Sequence, residues 1–171
     1  MSPPISAAAR KMLSPQMHGG GHQRKLRSGT LNVPGIVGLG KACEIADAGM
    51  QADAARIRSL RDKLESKLLE IEDSFVNGNT ENRLYTTTNI CFPCINSEKL
   101  IIALQNIAVS SGSACSAITT EPSHVLKAMG LSDAEALASI RFSLGRFTTT
   151  EEVALTIEKV AQLVAKLRSD N

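Results

Sequence analysis

An apolar recurrence that begins at Ile36 constrains the fold most. Ile36, Leu39, Cys43, Ala46, Met50, Ala54, Ile57, Leu60 or Arg61, Leu64, Leu68 and Ile71 return at steps of three and four residues. That period lays them along one stripe of an α-helix, and predicts one long amphipathic helix or two nearly collinear ones. Pro34 stands just ahead of it, where a missing N–H is tolerated. Gly38, Gly40 and Gly49 weaken the first half by about 1 kcal/mol each if exposed, and they also permit close packing. On this reading Cys43 faces the core and carries no chemistry.

The remaining segments supply partners for that stripe. Tyr85 to Phe92 is rich in β-formers and reads as a strand that Pro93 ends. Ser97 suits an N-cap, with Glu98 in the first turn and Leu100, Ile101, Leu104 and Ile107 on a short helix. Ile107–Val109 reads as a short strand leading into the small-residue run Ser110-Ser111-Gly112-Ser113-Ala114-Cys115-Ser116. Pro122 suits the first position of another helix, with Val125, Leu126 and Met129 buried and Gly130 as its stop. Ser132 and Glu135 form a capping box, as do Thr149 and Glu152 before a last helix striped by Val153, Ile157, Val160, Val164 and Leu167. Ser139 to Leu144 alternates as a strand does: Ile140, Phe142 and Leu144 share one face, Ser139, Arg141 and Ser143 the other. The sum is an α/β fold. It is a two-layer sandwich with a small, mainly antiparallel sheet, a long N-terminal helix and a C-terminal helix. Residues 1–16, which hold Pro3, Pro4 and Pro15, read as an irregular arm. Residues 17–34 form a Gly-rich basic segment, and residues 35–171 a small C-terminal domain.

Composition narrows the chemistry. Aromatics make up 3% of the 171 residues and Trp is absent, so Leu, Ile, Val and Ala must build the core. A net charge of +2 and the lack of stacking platforms argue against nucleic acid. No apolar run reaches the roughly 18 residues of a membrane span. With no signal peptide ahead of the four Cys, reduced thiols in a cytoplasmic setting are expected. The first acidic residue is Glu44, which leaves a mitochondrial or other organelle transit peptide as the alternative.

Four features can carry chemistry, and each has a plainer alternative. The Cys91-x-x-Cys94 spacing belongs to redox pairs and zinc sites. Here it ends a strand and has no second pair, so coincidence is the better reading. Gly19-Gly20-Gly21 with Arg24, Lys25, Arg27 and the Thr30 hydroxyl makes an anion site or a solvated basic linker. Three Gly between His18 and His22 argue against a helical metal pair. Arg141 on a polar strand face suits bidentate capture of a carboxylate, or it is a solvent-facing charge. Cys115 is either an incidental thiol in a linker or a nucleophile on a loop that travels.

Taken together, several motifs resemble one family. They are His18-Gly19-Gly20-Gly21-His22 with Arg27-Ser28-Gly29-Thr30, then Ser110 to Cys115, then Glu121-Pro122-Ser123-His124-Val125-Leu126, and Ser139 through Thr149. In order and spacing they resemble the cysteine desulfurases of the class V aminotransferase group, over about Gln16 to Arg168. The resemblance implies an enzyme that uses pyridoxal phosphate to take sulfur from L-cysteine, releasing alanine. Cys115 would be the catalytic nucleophile that carries the sulfur as a persulfide toward iron–sulfur cluster assembly. Arg141 would bind the substrate carboxylate. Thr30 would bind the cofactor phosphate of the neighbouring subunit in a homodimer. The Cys115 loop would swing between the cofactor and a sulfur acceptor, commonly an iron–sulfur scaffold protein. A resident metal is not implied, although persulfide on Cys115 would place it next to iron–sulfur chemistry.

The resemblance also implies something missing from these residues. The family's large domain carries the Schiff-base Lys in a Ser/His-rich motif ending His-Lys. Lys11, Lys25, Lys41, Lys63, Lys67, Lys99, Lys127, Lys159 and Lys166 follow no such motif. The chain therefore reads as the C-terminal part of a cysteine desulfurase, inactive by itself. The alternative is a non-enzymatic module that accepts persulfide or dimerises with an intact subunit. Ser116-Ala117-Ile118 also stands where the family more usually has Thr-Ser-Ala.

Overall fold

A computed structural model of the protein describes residues 14–111 and 121–170. The chain divides into two units, residues 1–48 and residues 49–171. Helix α1 (Val33–Leu68) has its first half in the one and its second half in the other.

In the first unit the Gly-rich segment is folded onto itself by backbone-directed bonds. Ser28 Oγ donates to the Gly20 carbonyl at 2.6 Å, and Arg27 Nη1 donates to the carbonyls of Gly29 and Thr30 at 2.9 and 2.8 Å. Gln23, Arg24 and Lys25 turn with φ of 49°, 58° and 64°, a left-handed run that costs roughly 1–2 kcal/mol per residue. Asn32 then caps α1, its Oδ1 accepting from Gly35 N at 3.1 Å. A Cβ on Gly35 would lie 2.6 Å from the Asn32 amide, so the cap requires glycine there. The first half of α1 departs from its expected role. Val33, Ile36, Val37, Leu39 and Ile45 are all exposed, and so is Cys43, which was expected to face a core. Helical period states which residues share a face; it does not supply a neighbour to cover that face.

The second unit holds the core. Its sheet has three antiparallel strands, β1 (Phe75–Val76), β2 (Thr87–Cys91) and β3 (Ser139–Ser143), in the order β1-β2-β3. Between β2 and β3 the register sets Thr88 opposite Phe142, Asn89 opposite Arg141 and Ile90 opposite Ile140. Ile90, Ile140 and Phe142 point into one apolar cluster with Ile57, Leu60, Leu64 and Leu68 of α1. Leu100 and Leu104 of α2 (Ser97–Leu104) and Val153, Val160 and Val164 of α5 (Thr150–Ser169) complete it. The unit is thus a small α/β domain whose sheet packs α1, α2 and α5 against one buried face, as the alternation in β3 requires. Each fully buried Leu, Ile or Val contributes about 1.5–3 kcal/mol by leaving water.

Local signals account for most element ends. The Ser132 and Thr149 capping boxes both form, starting α4 (Asp133–Leu137) and α5. Gly130, at φ +97°, closes α3 (His124–Ala128). Three expectations shift. Asn96, not Ser97, caps α2, because its side chain accepts from both Glu98 N and Lys99 N. Ser123 caps α3, so Pro122 lies before the helix, and only Leu126 of the expected buried trio is covered. Ile107–Val109 is irregular, and among the described residues the backbone of this segment pairs with β3 at Ser110 alone.

One charged group ties α1 to the sheet. Glu65 accepts from Arg83 Nη1 and Nη2 at 2.6 and 2.7 Å and from Thr88 Oγ1 on β2 at 2.5 Å. Burial pushes the Glu65 carboxyl up, but the bonds from Arg83 and Thr88 and the charges of Arg83 and Arg61 outweigh it and hold it below its usual range.

Candidate functional site

The polar face of β2 and β3 is built by the same alternation that builds the core. With Ile140 and Phe142 buried, Arg141 and Ser143 must point to the other side, and both are exposed. The Arg141 guanidinium makes no ion pair or hydrogen bond with the described residues, so its five donors face solvent. Ser139 belongs to that face by parity but is fully buried, because α4 covers that end of the strand. Its hydroxyl donates to the Glu135 carbonyl at 2.7 Å.

The root of the small-residue loop is tied directly to this strand. Ser110 N donates to the Arg141 carbonyl at 3.2 Å, and Arg141 N donates to the Ser110 carbonyl at 2.7 Å. Cys115 itself lies outside the described residues. It follows Ser110 by five positions, a reach of at most about 18 Å for extended chain. The fold therefore pairs Ser110, the first residue of that small-residue run, with the backbone of the Arg that the sequence singled out.

The turn after β3 is held from below. Asp53 accepts from Arg146 Nε at 2.7 Å, and Arg56 donates to the carbonyls of Thr148 and Arg146. The second half of α1 thereby fixes the far end of the strand that carries Arg141.

Thr30 belongs to the other unit. It borders an open hollow with His22, Gln23, Gly29 and Leu31, and a neighbouring hollow is lined by His18, Gly19, Gly20, Gly21, Lys25 and Ser28. The Thr30 hydroxyl makes no bond to the described residues, whereas its carbonyl is held by Arg27. In the Thr30 hollow, the free hydroxyl and the glycine backbone at φ +95° (Gly29) are donors of the kind that fit a phosphate group; the Lys25 ammonium lines the other hollow.

The other cysteines have different surroundings. Cys91 is fully buried and its thiol donates to the Glu135 carbonyl at 3.5 Å. Burial pushes its pKa up, against a smaller lowering by Ser139, which is the reverse of what a nucleophile needs. Cys94 is exposed, at φ 65°. Among the described residues no three His, Cys, Asp or Glu side chains gather as a metal site, and no helix is long and apolar enough to cross a membrane.

Sequence reading missed Asn77 and Asn89. Asn77 Nδ2 donates to Asn89 Oδ1 at 2.7 Å and to Ser139 Oγ at 2.9 Å, a polar chain next to Arg141. The available signal was parity: Asn89 sits two positions from Thr87 and two from Cys91, on the face away from Ile90.

Fold and site together define a small α/β domain with an exposed Arg on one strand and the Ser110 backbone paired beside it. Comparison with known proteins gives it a family: residues 4–155 match the aminotransferase class-V family, and the chain belongs to that family. It is 52% identical over 156 residues to the cysteine desulfurase IscS of Shewanella sp. (strain ANA-3), covering 91% of this chain and 39% of that protein. It is 50% identical over 164 residues to the cysteine desulfurase IscS of Pasteurella multocida (strain Pm70), covering 96% and 41%. Among solved structures, a NifS-like protein superposes with a TM-score of 0.77 at 37% identity, over 90% of this chain and 39% of its own. A NifS-like protein from Rickettsia africae ESF-5 gives 0.76 at 33% identity, over 90% and 40%. The chain thus spans about two fifths of the length of these relatives.

Proposed function

We propose that this chain is the C-terminal, sulfur-carrying part of a cysteine desulfurase. Residues 35–171 act as its small domain, and residues 17–34 as the segment that reaches the cofactor. The likeness to two IscS proteins at 50–52% identity supports the chemistry. The observation that carries the assignment to this region is the backbone pairing of Ser110 with Arg141, which roots the Cys115 loop beside a guanidinium with no partner among the described residues.

Arg141 binds the carboxylate of L-cysteine and so fixes the orientation of the substrate. The Cys115 thiolate attacks the substrate sulfur. A new S–S bond forms, the substrate Cβ–S bond breaks, and the electron pair and a proton end on the carbon, giving alanine. Cys115 is left as a persulfide, and the small side chains around it allow the loop to carry that sulfur to an acceptor, an iron–sulfur scaffold protein in this reading. Pyridoxal phosphate, when bound, supplies the electron sink for this cleavage. Thr30, with the Gly29 backbone beside it, holds the phosphate of that cofactor in a neighbouring subunit. The Lys residues of these 171 positions include none in the family's His-Lys setting, so the chain by itself is inactive.

A second reading is a module that accepts persulfide or pairs with an intact subunit without turning over substrate. The exposed aliphatic side chains on the first half of α1 favour it. One experiment separates the two. The chain is combined with an intact desulfurase of the family and L-cysteine, and Cys115 is read by mass spectrometry. A gain of one sulfur that disappears in Cys115→Ala supports a sulfur-carrying role. Copurification without any gain leaves pairing alone. Turnover by the purified chain with pyridoxal phosphate would overturn the claim that it is inactive by itself.

A further inference from the structure

We propose that Asn89 is a second substrate-binding residue, donating its side-chain amide to the same carboxylate that Arg141 holds. This deepens the reading above and rests on Arg141 being the carboxylate's partner.

The register places the two residues directly opposite each other on β2 and β3. Their backbone groups point elsewhere. Arg141 N and O both bond to Ser110, and the Asn89 carbonyl accepts from Asn77 N at 2.8 Å on the β1 side. Asn89 and Arg141 are therefore the non-hydrogen-bonded kind of antiparallel pair, whose Cα atoms stand about 4.5 Å apart and whose side chains come closest. Both side chains lie on the face away from Ile90 and Ile140.

The Asn89 amide is also oriented. Its Oδ1 accepts from Asn77 Nδ2, so the oxygen is turned toward the β1 side and the nitrogen toward β3, where Arg141 stands. Asn77 is itself held, because the same Nδ2 bonds to Ser139 Oγ and the Ser139 hydroxyl donates to the Glu135 carbonyl of α4. This chain of bonds leaves Asn89 Nδ2 with no acceptor among the described residues, next to a guanidinium that also has none. Two adjacent donors without an acceptor fit a ligand with two acceptor oxygens, which a carboxylate supplies. A neutral amide adds a directed hydrogen bond there without placing a second positive charge beside Arg141.

The test uses the full 171-residue chain labelled with nitrogen-15. L-alanine, the product in this reading, is titrated in while the Asn89 side-chain NH2 and Arg141 Nε–H signals are followed. Both are expected to move with one midpoint, and ethylamine, which lacks the carboxylate, is expected to move neither. Asn89→Asp keeps an oxygen for Asn77 and so preserves the packing, but replaces the donor with an anion. Its backbone spectrum should match the wild type while alanine binding weakens by about tenfold or more. If Arg141 responds while Asn89 does not and Asn89→Asp binds normally, the role of Arg141 stands and that of Asn89 is overturned. If neither signal responds, the carboxylate role of Arg141 falls, and this inference falls with it.

Discussion

Replacing Glu65 with Ala is expected to cost about 3 kcal/mol of folding stability near neutral pH. Glu65 accepts two bonds from Arg83 and one from Thr88. Its loss strands a Thr88 hydroxyl that is 2% exposed and removes one of the carboxylates that compensate Arg61, which is 5% exposed and pairs with Asp62 at 2.7 Å. Breaking a buried pair costs roughly 3–5 kcal/mol. The lower end applies because the Arg83 and Glu65 side chains keep 17% and 13% exposure and some access to water. For a chain of this size the loss corresponds to roughly 6–12 °C in Tm. The pH dependence has a definite sign. Glu65 titrates below its usual range when folded, so its contribution is complete above the unfolded value of about 4.3 and disappears as pH falls through the folded value. Urea unfolding followed by circular dichroism, at about pH 7 and about pH 3.5, measures both effects. A wild-type advantage below about 1 kcal/mol at neutral pH would refute the assignment, as would an advantage of equal size at both pH values.

Two further outcomes follow from the caps and thiols. Thr149→Ala should destabilise by about 1 kcal/mol, because Thr149 Oγ1 accepts from Glu152 N at 3.2 Å at the start of α5; a change within experimental error in urea midpoint would show that the cap is dispensable. In a Cys115→Ala background, iodoacetamide should modify exposed Cys43 promptly and Cys91 only as fast as the domain opens, since burial both covers the Cys91 thiol and keeps it protonated. Equal rates under native conditions, read by peptide mass spectrometry, would contradict that burial.

Local features were legible in the residue string because both partners lie within one turn. The Ser132–Glu135 and Thr149–Glu152 boxes and the Gly130 stop are of this kind. The shift of the α2 cap from Ser97 to Asn96 shows the limit even there, since two adjacent polar residues can each serve and backbone geometry selects one. Cys43 and the exposed first half of α1 show a different limit. Periodicity defines an apolar face but not what lies against it.

The motifs around Thr30, Cys115 and Arg141 were likewise readable as words in order, and they pointed to the family that the comparisons then identified. Strand parity also put Arg141 on the face away from the core, because side chains alternate whatever the strand pairs with. Only tertiary structure decided what shares that face with it. Pairing across β1, β2 and β3 is non-local, and a slip of one residue would send Asn89 to the buried side. The observed register instead sets Asn89 opposite Arg141, ties Ser110 to the same residue, and turns the Asn89 amide through Asn77 and Ser139. The sequence determined which side chains could do chemistry; strand register, held by the packed core beneath it, decided which of them stand together.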